Sequence, residues 1–286
     1  MIANFLNIAF AGIAYGVLLF LMAAGLSVTM GLMRFANLAH AAFAMLGGYI
    51  AVMLMNSYGW PFLATLPVAA FGTALFAAII ERVVFRRLYR SAQLDQVMLT
   101  VGLLFMAVAA ATFIWGPSQQ PVRMPPYLSG NVTLGFLSLN VYRLFLILAG
   151  GLVIWGLIWA VERTSFGAKV RAAVDNRRVT MSCGIDVDRL FMIAFFIGSS
   201  LAGLGGALSI NLLGIDPNFA QSLLAFVLIV VVIGGEGSMR GTLFAALLLG
   251  IADVVGKYYV PQAGAFIIYA VTVAVLYVRP QGLLIR

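Results

Sequence analysis

Residues 1–33 read MIANFLNIAFAGIAYGVLLFLMAAGLSVTMGLM, and no charged side chain occurs before Arg34. A helix of about 20 apolar residues already crosses a bilayer core, so this run is a membrane span rather than part of a soluble core. The next uncharged interval, 35–80, is too long for one helix, and Asn56-Ser57-Tyr58-Gly59-Trp60-Pro61 divides it with turn formers and interfacial aromatics. A third uncharged interval lies between Asp95 and Arg123. These intervals predict spans near 7–32, 38–56, 61–80 and 96–115. Apolar stretches at 144–161, 190–212, 219–234, 241–256 and 262–278 predict five more. The expected fold is all-α: a polytopic transmembrane bundle of eight or nine spans, with 1–286 forming a single transmembrane domain.

Composition agrees. Of 286 residues, 63% are hydrophobic and 9% charged, with a mean hydropathy of +1.08. A soluble domain carries about 25% charged residues, so this chain cannot cover a water-facing surface, which excludes a cytosolic enzyme or a secreted binding module. The net charge of +8 sits in short loops without basic and aromatic alternation, so it reads as a topology signal rather than a nucleic-acid footprint. Cys183, the single cysteine, has no partner for an internal disulfide and no metal-ligand spacing around it, and reads as a small buried residue. Met1-Ile2-Ala3-Asn4 lacks the positive n-region of a cleavable signal peptide and reads as part of the first span.

Cytoplasmic loops retain lysine and arginine, and two loops dominate the count. Residues 81–95 carry Arg82, Arg86, Arg87 and Arg90; residues 162–189 carry Arg163, Lys169, Arg171, Arg177, Arg178 and Arg189. Two spans separate them, as placement on one side requires. Alternation then puts Arg34, Arg240, Arg279 and Arg286 on that side too, leaving Arg123, Arg143 and Lys257 outside. The C-terminus is expected to be cytoplasmic. The outer segment 116–140, with Pro117, Pro121, Pro125, Pro126, Gly116, Gly130 and Gly135, is expected to be a structured external loop.

Little here could perform covalent chemistry. There is one histidine and one cysteine, and no span holds a metal-like grouping of His, Asp and Glu. Residues 235–241 look like a phosphate-cradling glycine loop, but they join two apolar spans rather than a strand and a helix. Without a Walker lysine, energy coupling must come from a partner or an ion gradient. An ion-coupled carrier or channel would show clustered acidic residues within spans, and Asp253 is the one candidate.

Three features remain. Thr164-Ser165-Phe166-Gly167 can start a helix on which Val170, Ala173, Val174, Arg177 and Met181 recur at helical spacing. Lys169, Arg171, Asp175, Asn176 and Arg178 form its polar side, and Gly184 supplies a left-handed cap. Such a helix either lies on lipid headgroups or docks a cytoplasmic partner. Glycines gather at 203, 205 and 206, around 234–241, and at Gly47-Gly48, which interrupts the second span. They allow close helix packing, and as a set they suit a transporter whose broken helices line a polar path. Asn37 and His40 lie three apart between two apolar runs; they are either pathway residues sharing a helix face or part of a loop at the inner headgroups.

In their order and spacing, five stretches give the chain its resemblance to the inner-membrane permease subunits of branched-chain amino acid ABC importers. They are 25–31 leading to Asn37-Leu38-Ala39-His40; 167–172 leading to 184–189; 202–206; 234–238 followed by Gly241; and 279–283. The chain departs from the family pattern at Ala41, where glycine is usual, and at Thr180, Ser182 and Cys183, where alanine is. The resemblance implies a permease without enzymatic activity that binds no cofactor of its own. It also implies pairing with a second, related permease, two cytoplasmic ATPases that use ATP, and an extracytoplasmic solute-binding protein. It makes 165–185 the coupling helix, with Gly167, Lys169, Arg171, Ala172, Ala173, Asp175, Asn176 and Gly184 at the ATPase contact. Asn37, His40, Gly203, Gly205 and Gly206 are the candidate pathway residues. The implied cargo is a branched-chain amino acid or a related small amino acid or amide, moved by alternating access.

Overall fold

The computed structural model describes residues 2–33, 37–88, 91–122, 124–134, 137–280 and 282–284. Arg34, Arg90, Arg123, Gly135, Gln281 and Arg286, used in the sequence reading, lie outside the described residues. The long helices are α1 (Ile2–Met33), α2 (His40–Tyr58), α3 (Phe62–Ile80), α4 (Gln93–Trp115), α5 (Val141–Arg163), α8 (Val187–Leu213) and α10 (Met239–Tyr259). These seven are long and apolar enough to cross a membrane. Two shorter apolar helices, α9 (Phe219–Gly234) and α11 (Gly264–Val278), account for the other expected spans. Between α5 and α8 lie two short helices, α6 (Ser165–Asp175) and α7 (Arg177–Ser182).

Lipid tails are as apolar as leucine, so these helices associate through close packing rather than through hydrophobic burial from water. Glycine supplies the closeness. A Cβ on Gly16 of α1 would lie 2.8 Å from the Ala246 carbonyl of α10, and one on Gly12 would lie 2.7 Å from Ile251 Cα. Gly25 of α1 meets Gly198 of α8 backbone to backbone. As a result α1 is the central helix, with 83% of its apolar window buried, whereas α4 and α5 are peripheral at 17% each. Gly47 and Gly48 do not interrupt α2, which is continuous through them; they are the points where it crosses Gly203 of α8 and Ile215.

Local chemistry sets the helix ends. Asn140, Asp186 and Ser238 cap α5, α8 and α10 by accepting from the backbone N–H groups of Arg143 (3.2 Å), Arg189 (2.9 Å) and Gly241 (3.1 Å). Gly59, at φ 66°, ends α2. Beyond α3 the helix continues as a π-turn over Glu81–Phe85, which carries Glu81 into the protein at 4% exposure. The segment between α4 and α5 has more structure than its prolines indicate: a 3-10 turn at Pro126–Leu128 and an antiparallel hairpin of β1 (Asn131–Leu134) and β2 (Leu137–Asn140).

The two groups of loops separate to opposite ends. At one end Arg240 pairs with Glu162, Gly237 packs on Gly31, Gly282 packs on Gly235, and a cavity joins Arg82 and Arg86 to Asp186 and Arg189. At the other end Gln120 donates its backbone N–H to the Ile215 carbonyl, and Asn56 donates its side-chain N–H to the Pro121 carbonyl.

Candidate coupling face and translocation core

At the basic end, α5 stops where Thr164 leaves helical geometry, and the Thr164 hydroxyl accepts from the Gly167 N–H at 3.2 Å to start α6. The helix turns back sharply. A Cβ on Gly167 would meet the Val161 and Ala160 carbonyls, so only glycine lets α6 cross the end of α5. The Arg171 guanidinium donates to the Val161 carbonyl, and Val170 and Ala173 are buried against the bundle at 4% and 2% exposure.

The sequence reading expected one amphipathic helix through Met181, and the structure corrects it. Asn176 (φ −153°, ψ 97°) ends α6 and caps α7, its side chain accepting from the Val179 N–H at 3.1 Å. Asn176 is therefore a hinge as well as an exposed polar position. Because the break rotates the register, Met181 is exposed at 53% and Val179 at 58%, while Thr180 faces inward. Gly184, at φ 78°, closes α7 as the cap anticipated. Cys183, expected to be buried, is exposed beside it.

Lys169, Ala172, Asp175 and Asn176 therefore face outward while Gly167 and Ala173 face the bundle, dividing the predicted coupling residues into two sets. A bidentate ion pair braces the region: Arg240 Nε and Nη2 donate to the two Glu162 oxygens at 2.6 and 2.7 Å. These partners are 78 positions apart, and no local pattern announces them.

The second candidate region lies deeper. His40 Nε2 stands 3.1 Å from the Met22 carbonyl oxygen, and Met22 is eleven residues before the end of α1. At 1.5 Å per residue that is about 16 Å inside the helix end, so His40 is not at the level of that end. A carbonyl only accepts, so in the neutral ring Nε2 carries the proton and Nδ1 is left as a bare acceptor. His40 and Asn37 are buried at 2% and 0% exposure, and His40 Nδ1 and both Asn37 amide atoms have no hydrogen-bond partner among the described residues. Asn37 precedes α2 in a turn, its carbonyl accepting from the His40 N–H, so the two do not share a helix face as expected.

Gly203, Gly205 and Gly206 are also buried. Gly203 faces Gly47 and Thr73, Gly205 faces Leu21 and Met22, and Gly206 faces Ala44. They sit at the crossings of α8 with α1, α2 and α3. Asp253, the acidic candidate in a span, is 2% exposed and accepts from Lys257 Nζ at 2.7 Å.

The family model for "branched-chain amino acid transport system / permease component" matches residues 8–276. The chain belongs to this family. The permease is 27% identical to the branched-chain amino acid permease protein BraD of Pseudomonas aeruginosa, over 96% of this chain and 94% of the relative. It is 26% identical to LivH of Escherichia coli K12 over 99% and 96% of the two chains. LivM of the same organism, also a branched-chain amino acid permease protein, is 27% identical over 91% of this chain and 66% of LivM. No solved structure matches. The permease is a multi-pass membrane protein and not an enzyme.

Proposed function

We propose that this permease is one membrane subunit of an ATP-driven importer that carries branched-chain amino acids, or a related small amino acid or amide, by alternating access. One observation carries the reading: α6 and α7 form a bent helical pair at the basic end, anchored by Val170 and Ala173 and offering Lys169, Ala172, Asp175, Val179 and Met181 outward. Lipid headgroups would cover a continuous basic and apolar stripe. The hinge at Asn176 instead creates a short mixed surface, with exposed apolar side chains beyond the bend, which suits a protein groove.

In this reading the basic end is cytoplasmic, as is the C-terminus, and each of two ATPases takes the coupling helices of one permease. LivH and LivM, both branched-chain amino acid permease proteins of one organism, support a second, non-identical permease as partner. An extracytoplasmic solute-binding protein delivers the cargo. When the ATPases close, displacement of α6 tilts the spans and switches access. Asn37 and His40 serve the pathway, Nδ1 accepting from a donor group of the solute or of a span that moves past it.

The test uses position 172. Ala172 is exposed, so Ala172→Glu leaves the fold intact but places an unpaired charge in the docking groove, where burial costs about 3–5 kcal/mol. Loss of ATPase co-purification and uptake, with normal membrane levels, is expected; wild-type association and uptake would refute docking. Ala173→Glu is not an equivalent test, because Ala173 packs inside this chain.

A further inference from the structure

The C-terminal segment contains a motif that the reading above leaves unused. It returns to the turn between α9 and α10. The Leu283 N–H donates to the Ile233 carbonyl at 2.7 Å, satisfying one of the last carbonyls of α9, which no intrahelical donor can reach. Gly282 stands at φ 95°, and a Cβ there would lie 3.0–3.1 Å from Gly235 N, Gly235 Cα and the Ile233 oxygen. The Arg279 guanidinium donates to the Leu283 carbonyl at 3.0 Å, and the Gly282 N–H donates to the Arg279 carbonyl at 3.1 Å, so the segment is folded on itself.

The turn it holds is a junction. The Gly237 N–H donates to the Ser27 carbonyl of α1 at 3.0 Å, and Thr242 of α10 bonds the Ser27 hydroxyl at 2.8 Å. On its outer side, a Cβ on Gly237 would lie 3.0 Å from Val174 Cγ1 of α6. Val174 thus presses on the same four-residue turn that grips α1, starts α10 and is backed by the C-terminal segment. Leu284 continues into a 450 Å³ cavity beside it, lined also by Arg171, Glu162 and Arg240.

We propose that Gly282 and Leu283 are positioning residues for coupling: they hold the turn at 235–238 against Val174, so that displacement of α6 reaches α1 and α10 together. Without that backing the turn is slack, and movement of α6 is absorbed in it. This inference rests on the importer reading.

The experiment measures solute carried per ATP hydrolysed by the assembled complex in liposomes, normalised to co-purified ATPase. Gly282→Ala is expected to lower that ratio about tenfold, and Arg279→Gln, which leaves the backbone unstrained, about two- to threefold. Gly59→Ala is the control: Gly59 also has positive φ (66°) but nothing within 4 Å of its Cβ position, and its ratio should stay at wild type. If Gly282→Ala does not assemble, Arg279→Gln decides. A wild-type ratio in every assembled variant, or an equal loss in Gly59→Ala, would overturn the proposal. A wild-type complex without ATP-dependent uptake would instead count against the importer reading.

Discussion

Replacing Gly198 by alanine tests whether glycine contacts or bulk apolarity hold this bundle together. The added Cβ would lie 2.6 Å from Gly25 Cα, about 0.8 Å short of the 3.4 Å at which ordinary contact begins. The obstacle is backbone, which cannot rotate away, so α1 and α8 must separate or shear. Overpacking of this kind costs about 1–3 kcal/mol. Two to four degrees per kcal/mol translates that into a fall in Tm of roughly 2–12 °C. The matched control is Gly102→Ala in α4, where nothing lies within 4 Å of the new Cβ and alanine gains about 0.5–1 kcal/mol of helix preference. The assay is thermal unfolding of the purified permease in one detergent, followed by tryptophan fluorescence. Equal Tm values for the two variants would refute the argument, since both add the same methyl group to an apolar helix.

Three further outcomes follow from the same geometry. Cys183, exposed and the single cysteine, should react with a membrane-impermeant maleimide in inside-out vesicles and not in right-side-out ones; the reverse pattern would invert the whole topology. Lys257→Met strands the buried Asp253 carboxylate and should destabilise by about 1–3 kcal/mol, discounted because the lysine is half exposed, whereas Asp253→Asn should cost less; chemical denaturation of the two variants checks the order. His40→Ala removes one buried hydrogen bond and the free acceptor at Nδ1. It should lower uptake roughly five- to tenfold at normal assembly, and wild-type uptake would remove His40 from the pathway.

The spans were legible because a bilayer demands uninterrupted apolar length, and the loops because charge cannot be hidden in it. Every expected span is a helix, and the basic loops do gather at one end. The coupling region was half legible. Thr164 and Gly184 announce its ends by capping chemistry, but Asn176, exposed as its place on the polar side implies, is also a cap that breaks the helix, and the hinge moved Met181 outward. Glycines showed that helices approach closely without showing which ones, since Gly25–Gly198 and Gly47–Gly203 join segments more than 150 positions apart. The depth of His40 could not be read either: Arg34 pointed to the membrane surface, and only the bond to Met22 shows how far the chain returns inward. The ion pair of Glu162 with Arg240 and the seat of Gly282 on Gly235 are long-range contacts of the same kind.

Uptake in a defined system tests the central claim most directly. The permease would be reconstituted into liposomes with its companion permease, the two ATPases and the solute-binding protein, and accumulation of radiolabelled leucine, isoleucine and valine followed with ATP or a non-hydrolysable analogue on the ATPase side. The account predicts accumulation with ATP only, abolished by Ala172→Glu. Accumulation driven by an ion gradient in vesicles that contain no ATPase would contradict it.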